Sequence, residues 1–110
     1  MDLRLYLVQR ISAMVMAPLV IGHIAVMIVA IQGGLSAEEI LGRTQGSVFW
    51  ALFYGTFVLA VSMHAAIGLR TIVQEWLGIT GAALNAVAWV VFGGLLIMGL
   101  YAVAAVVLGP

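Results

Sequence analysis

An all-α integral membrane protein with three transmembrane helices is the fold class this sequence predicts, and three observations carry it. Of its 110 residues, 65% are hydrophobic and only 7% charged, against about 25% charged in an ordinary soluble domain. Mean hydropathy is +1.27. Three apolar runs, near residues 11–32, 47–69 and 83–108, are each long enough to cross a hydrocarbon core about 30 Å thick. A chain of this length holds one domain, residues 1–110, with a short surface helix expected over about 36–45.

The N-terminal segment, Met1 to Gln9, mixes Asp2 and Arg4 with apolar residues and Tyr6. It suits either a short interfacial helix or the first turns of the first span, with Tyr6 at headgroup level. The first apolar stretch is longer than the about 7–15 residues of a signal-peptide core, and no small-x-small cleavage site follows, so the span is read as retained. Arg10 stands at its entrance, where an arginine can snorkel to water. Pro18 removes a backbone donor inside the span, which a membrane helix tolerates. His23 lies thirteen residues past Arg10, about 20 Å further along a helix.

Gln32-Gly33-Gly34 ends that run, and Ser36 followed by Glu39 is a capping-box pattern opening the surface helix. Glu38, Glu39 and Arg43 read as its solvated face. The second span opens with Phe49, Trp50, Phe53 and Tyr54, an interfacial aromatic group. It carries His64 six residues before Arg70, about 9 Å from that edge. A loop is expected from Arg70 to about Gly81, holding Glu75 and Trp76. The third span has Asn85 near its entrance and Gly93, Gly94 and Gly99 within it, spacings that suit helix packing. Arg4, Arg10 and Arg70 flank one side of the spans and Arg43 the other, so the positive-inside rule puts the N-terminus in the cytoplasm.

Function classes fall away quickly. With no cysteine the chain makes no disulfide and ligates no iron–sulfur cluster through thiolates. No acidic residue lies in a span, against an ion pump or proton-coupled carrier built on an intramembrane carboxylate. There is no basic stripe for nucleic acid, no nucleophile–base pair and no phosphate-cradling loop. What remains is two histidines in apolar surroundings. Imidazole there suits metal ligation, haem iron above all. The bland alternative is a hydrogen bond to a neighbouring helix. His64 and Gly68, four apart, share a helix face, and the glycine leaves a notch beside the imidazole with room for a flat ligand. The depths of His23 and His64 differ too much for both to grip one iron, so a second axial ligand is expected from a partner subunit.

Gln9-Arg10-Ile11-Ser12-Ala13, followed by His64-Ala65-Ala66-Ile67-Gly68-Leu69-Arg70 and then Glu75-Trp76, resembles the membrane-anchor cytochrome b subunits of succinate dehydrogenase and fumarate reductase. The resemblance covers nearly the whole chain. It implies half of a heterodimeric anchor bundle in a bacterial inner membrane, assembled with a second anchor, an iron–sulfur subunit and a flavoprotein with FAD. It implies haem b, one or two, with His64 as an axial ligand and His23 as the ligand of a second haem. Arg10 and Arg70 fall where haem propionates are met. Arg10, Ser12, Tyr6 and Trp76 fall near the quinone pocket. Two positions depart from the family pattern: the smaller anchor type commonly has Asp-Tyr where this chain has Glu75-Trp76, and the larger type has a serine where this chain has Tyr6. The resemblance leaves the larger and smaller anchor types both open, with the spacing from His64 to Trp76 leaning toward the smaller. The resemblance thus implies a non-catalytic electron-transfer and anchoring subunit of a succinate:quinone oxidoreductase. The competing expectations are a haem-free anchor of the same complex class and a small helical transporter or assembly protein.

Overall fold

The computed structural model describes residues 3–109, so Met1, Asp2 and Pro110 lie outside it. Four helices follow one another: α1 (Leu3–Gly33), α2 (Ala37–Thr44), α3 (Val48–Leu77) and α4 (Gly81–Val107). No strand occurs among the described residues. α1, α3 and α4 are long and apolar enough to cross a membrane, and the chain is a multi-pass membrane protein. Of the two readings of the N-terminal segment, the first turns of the span is the one found. α1 also runs unbroken through Pro18.

α3 is the middle helix, with α1 and α4 each packed against it. Small side chains permit this. Ala60, Ser62 and Ala66 are buried along α3, and in lipid, close backbone approach rather than water expulsion drives helices together. α3 and α4 approach closely at Gly99, where an added Cβ would fall onto the side chain of Val58. Elsewhere the spans are open to their surroundings. In the most apolar window of α1, and likewise of α4, only 6% of residues are buried within the chain, so lipid or other polypeptides must cover the rest.

The ends of the helices differ from the expected spans. At about 1.5 Å per residue, the 31 residues of α1 reach about 46 Å, well beyond a core of about 30 Å. α1 begins at Leu3 rather than near 11, and α3 continues to Leu77 rather than ending near 69. The stretch expected as a loop from Arg70 is therefore mostly helix. Nothing between Arg70 and Leu77 breaks a helix; the stop is Gly78, left-handed at φ 68°, whose N–H reaches the carbonyl of Gln74. Both overhangs lie at the same end, because α1 and α3 are antiparallel.

The opposite end is closed by α2. Ser36 caps it, its hydroxyl accepting from the Glu39 N–H at 3.1 Å, as the Ser-x-x-Glu pattern predicts. The buried Thr44 hydroxyl is within 2.6 Å of the Val106 carbonyl, the Gly46 N–H donates to Val107 at 2.7 Å, and the Gln45 amide donates to Gly109. The C-terminal carbonyls of α4, which a helix leaves unpaired, are thus capped by the α2 segment. Beside it, Trp50 and Tyr54 stack at 5.5 Å, giving the aromatic group at the start of α3 real ring contacts.

Gly99→Ala is expected to force α4 off α3. Overpacking of this kind costs about 1–3 kcal/mol, read as a lower unfolding midpoint of the detergent-solubilised chain.

Candidate functional site

Three of the chain's four arginines share the end where α1 begins and α3 stops. Arg4, Arg10 and Arg70 are there, and Arg43 is at the other end on α2. Within it the inward-facing polar cluster is Gln9, Ser12 and His64, at the crossing of α1 and α3. On α1, Leu5, Val8, Ser12 and Met16 recur at helical spacing on the side turned from solvent. Ser12 is only 5% exposed, and its Oγ lies 3.4 Å from Nδ1 of His64. The same hydroxyl donates to the Gln9 carbonyl at 2.9 Å, the local back-bond that a serine inside a helix makes. His64 itself is half-buried, and Nδ1 is its one hydrogen-bonded ring nitrogen among the described residues.

Gln9 is the residue that sequence reasoning passed over. Among the described residues its side-chain oxygen is buried with no hydrogen-bond partner, and its amide nitrogen lies 3.6 Å from where a Cβ on Gly68 would stand. The notch at Gly68, expected to be open beside the imidazole, thus holds the Gln9 amide. Close crossing of the two helices brings it there. The signal for it was present as a glutamine one turn before Ser12 on the same face. An orphaned buried acceptor one turn from the serine that meets a half-buried imidazole is an unfinished polar site, since such groups are nearly always paired in native proteins.

Arg70 is half-buried and turns toward α4, its guanidinium 3.5 Å from the side-chain oxygen of Asn85. The two stand on the wall of a groove of about 560 Å³ that runs between α1 and α4 over α3, otherwise lined by apolar groups such as Val8, Met63 and Phe92. The groove exists because α1 and α4 pack mainly against α3. Arg10, by contrast, is exposed on α1, as is Tyr6 four residues before it. Trp76 is 81% exposed near the end of α3, on a rigid helix beside Glu75. Ser12 and Arg10, neighbours in sequence, therefore present to different sides: one to α3, the other outward.

His23 is separate from this cluster. It lies eleven residues past Ser12, on nearly the same face of α1, and packs on α3 with ring centroids 5.1 Å from Phe57 and 6.2 Å from Tyr54. Among the described residues no group of three or more His, Cys, Asp or Glu is placed to hold a metal ion.

The family model for the transmembrane subunit of succinate dehydrogenase/fumarate reductase matches residues 1–108. The chain belongs to that family. Searches of curated proteins and of solved structures returned no match. A succinate dehydrogenase/fumarate reductase transmembrane subunit works as part of an assembly, which agrees with spans so little covered by their own chain. It also sets aside a free-standing transporter.

Gly68→Ala should be tolerated within about 0.5 kcal/mol, because its Cβ would make an ordinary contact with Gln9. Gly68→Leu should displace the Gln9 amide and prise α1 from α3, at about 1–3 kcal/mol. Unfolding midpoints in detergent distinguish the two.

Proposed function

We propose that this chain is the smaller of two membrane anchors in a succinate:quinone oxidoreductase. In this reading it helps hold haem b through His64 and helps form a quinone site at the arginine-bearing end, which faces the cytoplasm of a bacterial inner membrane. The observation that carries the reading is the placement of His64: the imidazole lies at the α1–α3 crossing, at the end where the arginines gather, in a chain of this family. FAD and the iron–sulfur clusters belong to the soluble partner subunits, and the acid is oxidised or formed there.

The residues present fit haem. One neutral imidazole per chain is the donor set of a porphyrin iron shared between two subunits, not of a caged metal ion. With His64 holding the group from this chain, a second histidine would be supplied by the other anchor. Arg10 and Arg70, at the same end of the bundle, are the cations available to propionates. Bound there, haem b would supply a one-electron store beside the quinone.

Quinone reduction to quinol takes two electrons and two protons. The helices overshoot the hydrocarbon at this end, so water reaches the polar groups while the quinone tail stays in lipid. Arg10 and Tyr6 on the outer face of α1, and the indole N–H of Trp76, are the donors this chain can offer to quinone oxygens. Glu75 beside Trp76 gives a carboxylate through which a proton can pass.

The haem-free anchor is the competing reading, and a dithionite-reduced visible spectrum of the purified complex separates them. We expect b-type bands in the wild type and, in His64→Ala, loss of the haem held by that residue (all of the signal with one haem, half with two), with the flavoprotein and iron–sulfur subunits still copurifying. A wild-type complex with those subunits and no b-type bands rejects haem. His23→Ala tests for a second haem: a halved signal supports two, an unchanged one supports one.

A further inference from the structure

The hydrogen-bond arrangement at Ser12 has a direction, and it bears on which nitrogen of His64 carries the proton. A serine hydroxyl has one hydrogen and accepts through its lone pairs. Of the two acceptors within its reach, the Gln9 carbonyl at 2.9 Å is the nearer and takes that hydrogen in preference to Nδ1. His64 Nδ1 stands 3.4 Å from the same oxygen, at a serine only 5% exposed. If Nδ1 were bare, two lone pairs would face each other in a place shielded from water, an unfavourable arrangement in a low-dielectric setting. If Nδ1 carries the hydrogen, it donates to Oγ and the chain of bonds closes: Nδ1–H to Ser12 Oγ, Ser12 O–H to Gln9 C=O. In a neutral imidazole this leaves Nε2 unprotonated.

We infer that Ser12 is a positioning residue for His64: it holds the imidazole as the Nδ1–H tautomer, so that the Nε2 lone pair is presented for axial ligation. The role rests on the reading of His64 as a haem ligand, and it differs from the quinone contact that the family pattern implies for this serine. The back-bond to Gln9 also settles the serine's own rotamer, so the acceptor is in place before any ligand arrives. Metal-ligating histidines in general donate their second ring N–H to such an acceptor, which orients the ring and raises its basicity. Here α1 supplies the acceptor and α3 the ligand, so the crossing of the two helices sets the orientation of the ring.

Two measurements test this. In the full chain reconstituted in lipid nanodiscs without haem, with ¹⁵N-labelled histidine, the ring shifts report the tautomer directly. The wild type should show His64 as Nδ1–H, Ser12→Thr should keep that tautomer, and Ser12→Ala should shift it toward Nε2–H. A wild-type Nε2–H tautomer, or one unmoved in Ser12→Ala, overturns the inference whatever the chain binds. In the assembled complex, Ser12→Ala should weaken haem retention by about 10–100-fold and raise the midpoint potential of the haem that remains, because the ligand becomes less basic. Ser12→Thr should restore both. A merely structural serine would lower haem content without moving the potential, and that result also overturns the inference. A wild-type complex lacking b-type bands would reject the haem reading, while the nanodisc measurement still decides the role of Ser12.

Discussion

α3 lies between α1 and α4, and the small residues along it set how near each can come. In lipid there is no water to expel from between helices, so packing and interhelical hydrogen bonds must supply the attraction. Ala60, Ser62 and Ala66 on α3, with Gly99 on α4, let the backbones close. The site follows from that closeness. His64 meets Ser12, and Gln9 lies over Gly68, only because α1 crosses α3 where α3 is thin. On the other side, packing of α4 against α3 leaves the groove that Arg70 and Asn85 flank.

The outer surface has the opposite character. Long apolar side chains such as Ile21 and Val90 project from spans that are scarcely covered by the chain itself. For a membrane subunit of a larger assembly this is expected, since the remaining contacts come from other subunits and from lipid. The polar groups divide accordingly. Ser12 and Gln9 lie at the α1–α3 crossing, whereas Arg10, Tyr6 and Trp76 are exposed and available to something else.

Much of this was legible in the residues. Three spans and the capped surface helix follow from hydropathy and from Ser36 and Glu39, and His64 stands out in the sequence as an ionisable group within an apolar run. The ends of α1 and α3 were not, because hydropathy marks where lipid stops and a helix can run on into water. Only Gly78, with its left-handed backbone, ends α3. Gln9 escaped notice for a related reason: an amide near a membrane edge reads as interfacial, and nothing in one helix's pattern says where another crosses it. The aromatic neighbours of His23 come from α3, more than thirty residues away, and so were equally out of reach.

The unbroken run of α3 past Arg70 turns a stretch of sequence into a ruler. Glu75 lies eleven residues beyond His64, about three turns and roughly 16 Å up the axis, so carboxylate and imidazole stand nearly in line on one rod. A flexible linker would let the two drift apart independently. A rod does not, and gaining or losing a single residue between them would swing the Glu75–Trp76 pair about 100° around the axis, facing it toward a different neighbour altogether.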